Sequence, residues 1–166
     1  SEKDKGTTFV ITIPFKIDME KREAEQKAKK SVCSIAGLNI LLVEDNELNM
    51  EIVEFIIQNA GAVVTKAWNG REALEIFEKS AEGYFDAILM DVMMPEMDGY
   101  EATERIRRLN RKDARTIPII AMTANAFTED KIRSKEAGMN EHIAKPLNTE
   151  LVLREVAKLV QPQMVD

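Results

Sequence analysis

From Asn39 onward, short apolar runs alternate with amphipathic stretches in strict turn, and no other feature of the chain limits its fold so tightly. Strand-like runs span Asn39 to Glu44, Val63 to Ala67, Phe85 to Met90, Ile117 to Met122 and His142 to Ala144. Helical periodicity lies between them. Ile52, Val53, Ile56 and Ile57 recur on one face, as do Ala73, Leu74 and Phe77. Tyr100 to Arg108, Ala126 to Ala137 and Leu151 to Val160 complete the helical stretches. Gly61 and Gly138 stand where helices end, and Asn69, Asn148 and Thr149 where they start. Parallel neighbours need crossover connections, so this alternation predicts an α/β fold, a doubly wound five-stranded parallel sheet with helices on both faces.

Runs such as Asn39-Ile40-Leu41-Leu42-Val43 and Ala87-Ile88-Leu89-Met90 are apolar nearly throughout, as strands covered on both faces must be. In such sheets ligands bind outside the C-terminal ends of the strands. The polar residues found there are Glu44 and Asp45, Asp91, Thr123 and Lys145. An acid after one apolar run is as compatible with an ordinary loop, but four runs stopping at chemically useful side chains predict one shared pocket.

The length of 166 residues suits one domain with an appendage. With 29 acidic against 23 basic residues the net charge is -6, which argues against nucleic acid as a direct partner and suits a cation or a basic partner. Cys33 is the only cysteine, so an intramolecular disulfide is excluded and a reducing, cytoplasmic compartment is expected. No apolar stretch approaches the roughly 20 residues of a membrane helix, so no membrane contact by this segment is expected, although a parent protein could be anchored in the inner membrane.

Clustering Glu44, Asp45 and Asp91 is electrostatically costly without a cation. Oxygen donors unaccompanied by His or Cys favour Mg²⁺ or Mn²⁺ over Zn²⁺. With such an ion in place, Asp91 is able to act as a carboxylate nucleophile toward a phosphoryl group, with the Lys145 ammonium and the Thr123 hydroxyl meeting its equatorial oxygens. A Mg²⁺-dependent phosphohydrolase with an Asp nucleophile is the alternative. Such enzymes generally need an acid at the second position after the nucleophile, and Met93 stands there. A flavin module would want Gly, Ser and Thr where the loop after the first strand is acidic. A non-phosphorylated interaction module has no use for the full set of acids, hydroxyl and lysine.

The motifs Leu42-Val43-Glu44-Asp45-Asn46, Met90-Asp91-Val92-Met93-Met94-Pro95-Glu96-Met97-Asp98-Gly99, Ala121-Met122-Thr123-Ala124 and Ala144-Lys145-Pro146-Leu147 occur in order over about Leu38 to Val160. In this the chain closely resembles the receiver domains of two-component response regulators. The resemblance implies strand order 2-1-3-4-5, with Asp91 as phosphoacceptor, Glu44 and Asp45 as the acidic metal pair, Thr123 as switch hydroxyl and Lys145 as the phosphate-contacting lysine. It further implies a backbone carbonyl of Met93 on the metal, a cis bond before Pro146, and tuning of phosphate lifetime by Met93 and Asn125. His142 occupies the place of the family's inward-turning aromatic residue, where Tyr or Phe is common. The implied activity is Mg²⁺-dependent transfer from the phosphohistidine of a histidine kinase domain or a histidine phosphotransfer protein, followed by a shift of the fourth helix, fifth strand and fifth helix. Such a domain catalyses its own phosphorylation and dephosphorylation and is not a conventional turnover enzyme.

Near the N-terminus, Thr8-Phe9-Val10-Ile11-Thr12-Ile13 alternates like a strand, yet the charged stretch Met19 to Lys30 offers it no core. Lys5 to Pro14 resembles the final strand of the ATP-binding domain of histidine kinases. The expected organisation is a kinase remnant over residues 1–15, a linker over 16–37, a receiver over 38–161 and a tail over 162–166, cut from a hybrid sensor histidine kinase. The segment's one histidine lies in Glu141-His142-Ile143, so it does not supply a phosphodonor itself.

Overall fold

The structure, a computed structural model, describes residues 34–124 and 128–160. The proposed kinase remnant, nearly all of the linker, Asn125 and the tail lie outside the described residues. The strands are β1 (Asn39–Val43), β2 (Val63–Ala67), β3 (Ala87–Asp91), β4 (Ile119–Thr123) and β5 (Glu141–Ala144). The helices are α1 (Glu47–Asn59), α2 (Gly70–Lys79), α3 (Gly99–Arg108), α4 (Thr128–Glu136) and α5 (Thr149–Val160), with a short 3-10 turn at Asp113–Arg115. All pairings are parallel, and the strand order is β2-β1-β3-β4-β5, the 2-1-3-4-5 order expected.

Alternation along the central strands divides the core between the two faces of the sheet. Leu41, Val43, Ile88, Met90, Ile119 and Ala121 pack with Ala73 and Phe77 of α2 and Tyr100, Ala102 and Ile106 of α3. Ile40, Leu42, Ala87, Leu89, Ile120 and Met122 point the other way, onto Met50, Val53, Ile56 and Ile57 of α1 and Val152, Val156 and Ala157 of α5. Each wholly buried Leu or Ile contributes about 1.5–3 kcal/mol of apolar burial, so these strands hold both helical layers.

Helix boundaries follow local hydrogen-bond chemistry. Asn46, Asn69 and Asp98 cap α1, α2 and α3, each accepting from the backbone N–H three residues on. Asn148 takes that role for α5, accepting from Leu151 N at 3.1 Å, so Thr149 is the first helical residue and not the cap. Gly61 and Gly138 follow α1 and α4 with φ of 87° and 95°, the left-handed region that a Cβ disfavours.

Two expectations shift in detail. Ile52 lies outside the buried face of α1: with Leu48 and Phe55 it forms an exposed stripe, and Met50 takes the core position instead. The third and fourth strands begin two residues later than expected and end one residue later. Ile117 N bonds back to Asp113 O in the preceding turn and Pro118 has no N–H to give, so β4 proper starts at Ile119. At the other end Val92 N still donates to Met122 O at 3.1 Å, keeping Asp91 within the ladder.

Candidate functional site

Register brings the strand ends together. Val43 is level with Ala67 and Met90, Asp91 with Met122, and Thr123 with Ala144, so Glu44, Asp91, Thr123 and Lys145 emerge at the same edge of the sheet. Glu44 extends the ladder by one residue, its N–H donating to Ala67 O at 3.1 Å, and its side chain is completely buried. Asp45 is exposed. Just beyond, α1 begins with its N-terminus near these carboxylates, where its dipole favours negative charge.

Lys145 Nζ is the hub of the pocket. It donates to Glu44 Oε2 at 2.6 Å and to Asp91 Oδ2 at 2.7 Å. Its backbone N–H donates to Thr123 O at 2.7 Å, tying β5 to the end of β4, and the Lys145-Pro146 bond is cis. The other oxygen of Asp91 accepts from Met93 N at 3.2 Å. Asn49 Nδ2 donates to Glu44 Oε1 at 2.9 Å. Glu44, Asp91 and Thr123 are all buried, while the Met93 side chain is 70% exposed at the rim.

One ammonium shared between two buried carboxylates leaves the pocket with excess negative charge. Burial raises the Asp91 pKa above the ordinary carboxylate range, the Glu44 charge adds to the rise, and the Lys145 hydrogen bond and charge and the Met93 N–H only partly oppose it. Burial works to lower Lys145, but its hydrogen bonds to Asp91 and Glu44 and their charges outweigh that, so its pKa stands above that of a free lysine. The ammonium is therefore firmly charged.

Glu44, Asp45 and Asp91 offer carboxylate oxygens that all lie within 4.8 Å of one another. A set of hard oxygen donors at that spacing, in a pocket short of positive charge, fits a divalent cation of the Mg²⁺ kind.

The loop after β3 is held by close backbone packing. Met97 N donates to Pro95 O at 2.8 Å across a turn in which Glu96 has φ of 66°. Gly99 N donates to Val92 O at 3.2 Å, and a Cβ on Gly99 would stand 2.2 Å from the carbonyl oxygen of Asp91. Only glycine permits that approach, so α3 starts directly against the backbone of Asp91.

The structure thus brings five of the expected site residues, Glu44, Asp45, Asp91, Thr123 and Lys145, to one edge. His142 sits at the other end of β5, half-buried and level with Ala121, with Nδ1 3.3 Å from Glu141 Oε1. Asn49 is the participant that sequence reading missed. Its signal was present in the Asn46-Glu47-Leu48-Asn49 spacing, which puts an amide at the third helical position behind the acidic pair.

Comparison with known proteins gives the same outline. Residues 40–157 match the model of the response regulator receiver domain. Hybrid signal transduction histidine kinase B of Dictyostelium discoideum is 37% identical over 147 residues, which cover 83% of this chain and 7% of that protein. The aerobic respiration control sensor protein ArcB of Escherichia coli is 32% identical over 164 residues, covering 98% of this chain and 20% of ArcB. The chain therefore spans only a small part of the length of these relatives. Among solved structures, the receiver domain of sensor histidine kinase PA1611 from Pseudomonas aeruginosa superposes with a TM-score of 0.68 at 39% identity, covering 75% of this chain and 98% of that one. That structure has a magnesium ion coordinated in its active-site cleft.

Proposed function

The chain belongs to the response regulator receiver domain family, and we propose that Asp91 is its phosphoacceptor, taking a phosphoryl group from a partner's phosphohistidine in a Mg²⁺-dependent reaction. The observation that carries this reading is the pair of contacts made by Lys145, whose Nζ lies 2.6 Å from Glu44 and 2.7 Å from Asp91 at the mouth of the acidic cluster.

Glu44, Asp45 and Asp91 would hold the ion, with the Met93 carbonyl completing the protein's share. Bound there, Mg²⁺ supplies charge neutralisation to the phosphoryl oxygens. An Asp91 carboxylate oxygen attacks phosphorus, an O–P bond forms, and the P–N bond to the donor imidazole breaks with its electron pair leaving on nitrogen. Lys145 is placed to turn its ammonium from the carboxylates to the incoming oxygens, and the Thr123 hydroxyl to meet another. The acyl phosphate carries about -1.5 to -2 charge where the carboxylate carried one, and the accompanying shift of Thr123 would alter the surface of α4, β5 and α5, with His142 as a switch residue on that face.

Met93 speaks against a turnover phosphohydrolase, since a thioether cannot protonate a leaving group. With Asn125, Met93 is instead proposed to set how readily water reaches the acyl phosphate. The partner is a histidine kinase domain or a histidine phosphotransfer protein, and the chain is the receiver of a cytoplasmic part of a hybrid sensor histidine kinase. In that arrangement residues 1–15 are the end of the kinase ATP-binding domain, 16–37 the linker, 38–161 the receiver and 162–166 a tail. Among the described residues no helix is long and apolar enough to cross a membrane.

The test is incubation with acetyl phosphate, with and without Mg²⁺, followed by intact mass. A hydroxylamine-labile phosphoryl adduct is expected in wild type with Mg²⁺ and absent from Asp91→Asn. Folded wild-type protein that gains no adduct would overturn the assignment.

A further inference from the structure

We propose that Asn49 is a positioning residue for the metal site: its side-chain amide fixes the buried Glu44 carboxylate in the orientation that an ion requires. The inference rests on the reading of Glu44 as a metal-holding acid and goes beyond it, since Asn49 belongs to no recognised acidic or phosphate-contacting set.

Glu44 is wholly buried and has, among the described residues, two side-chain hydrogen-bond partners, one for each oxygen: Lys145 Nζ on Oε2 at 2.6 Å and Asn49 Nδ2 on Oε1 at 2.9 Å. The lysine partner is shared, because Lys145 also bonds Asp91 and must swing toward a phosphoryl group on that residue. Asn49 is the partner that stays. Without it, a buried carboxylate would lose a hydrogen bond at the moment Lys145 turns away, and its orientation would be free to drift.

The local sequence shows that this side chain is not spent on the helix. Asn49 is the third residue of α1, where a capping box has Glu or Gln reaching back to accept from the cap's backbone N–H. Here the backbone N–H of Asn49 is held by Asn46 Oδ1 at 3.1 Å, while the side chain donates past the cap to Glu44. With the backbone of the donor held, its side chain is left available to the carboxylate, which it meets at 2.9 Å. The residue therefore couples the start of α1 to the acid beside it.

A calorimetric Mg²⁺ titration of the full chain tests this, comparing wild type, Asn49→Ala, Glu44→Ala and the double variant, each checked for a native circular dichroism spectrum. Asn49→Leu, of similar volume, replaces the alanine variant if that fails to fold. Asn49→Ala is expected to weaken Mg²⁺ binding about tenfold or more, the usual effect of removing a partner that orients a metal ligand. In the Glu44→Ala background the same change should alter affinity by less than about twofold, because the group it orients is gone. Wild-type affinity retained in Asn49→Ala, or an undiminished loss in the Glu44→Ala background, overturns the proposal while leaving the phosphoacceptor reading intact. A folded wild type that binds no Mg²⁺ overturns both.

Discussion

At the residue scale, the pocket holds a charge problem that only a ligand relieves. Asp91 is ionised at a cost, since burial raises its pKa and the Glu44 charge adds to the rise, against the opposing Lys145 contact. A carboxyl whose folded pKa is raised contributes stability below its unfolded pKa and loses it as pH rises through the folded value. Asp91→Asn, which keeps an oxygen for Lys145, should therefore raise the melting temperature of the metal-free protein by a few degrees at neutral pH. The gain should shrink as pH falls through the raised folded pKa toward the ordinary carboxylate value near 3.8, and also on adding Mg²⁺, both measurable by thermal scans over pH. Glu44, Asp45, Asp91, Thr123 and Lys145 were legible in the sequence because each directly ends or follows an apolar run, and strand ends are where a parallel sheet presents its chemistry. Asn49 was harder to read: its spacing from the acidic pair is in the sequence, but on a helix Asn reads as a weak helix former or a cap, and its target is defined only by the turn between β1 and α1.

At the element scale, caps and apolar faces made most helices readable, but the anchor of α2 came from a loop. Arg111, in the connection after α3, donates to the carbonyls of Phe77, Ser80 and Ala81 at the end of α2, lies 4.3 Å over the Phe77 ring and grips Asp113 through two 2.7 Å bonds. Such a cation at a helix C-terminus adds charged donors to the carbonyls of the last turn and complements the dipole. A loop arginine has no periodicity, so nothing in the sequence distinguished it from Lys112 or Arg115. Arg111→Leu is expected to cost about 2–4 kcal/mol by urea unfolding, because it takes a donor from each of these three carbonyls and removes the charged partner of the Asp113 carboxylate. Arg111 also holds the Asp113 carboxyl down at about 2 through its hydrogen bonds. A depressed pKa means stability present above the unfolded value and lost as pH falls through the folded one. Asp113→Asn should thus cost about 1–2 kcal/mol at pH 7, after allowance for solvent screening, and almost nothing near pH 2. Ile52 departs from its expected buried place for a related reason, standing exposed beside Leu48 and Phe55. Apolar residues surround α1 on more than one side, and periodicity alone does not say which side meets the sheet.

At the scale of the whole molecule, alternation of βα units specified the fold class, whereas the strand order came from motif resemblance, since crossovers of similar length allow several orders. The two apolar layers share one sheet and should unfold together. Ile57→Val under α1 and Ile106→Val under α3 are each expected to cost about 0.5–1.5 kcal/mol, adding to within about 0.5 kcal/mol in a single urea transition. A biphasic curve in either variant would show the layers melting separately. β3 gives that shared sheet a further meaning. Its residues are divided between the layers, Ile88 and Met90 on one side and Ala87 and Leu89 on the other, and Asp91 is its last residue. The protein thus mounts the proposed phosphoacceptor on a beam clamped from above and below, and any movement of that tip has to be absorbed on two opposite surfaces of the molecule.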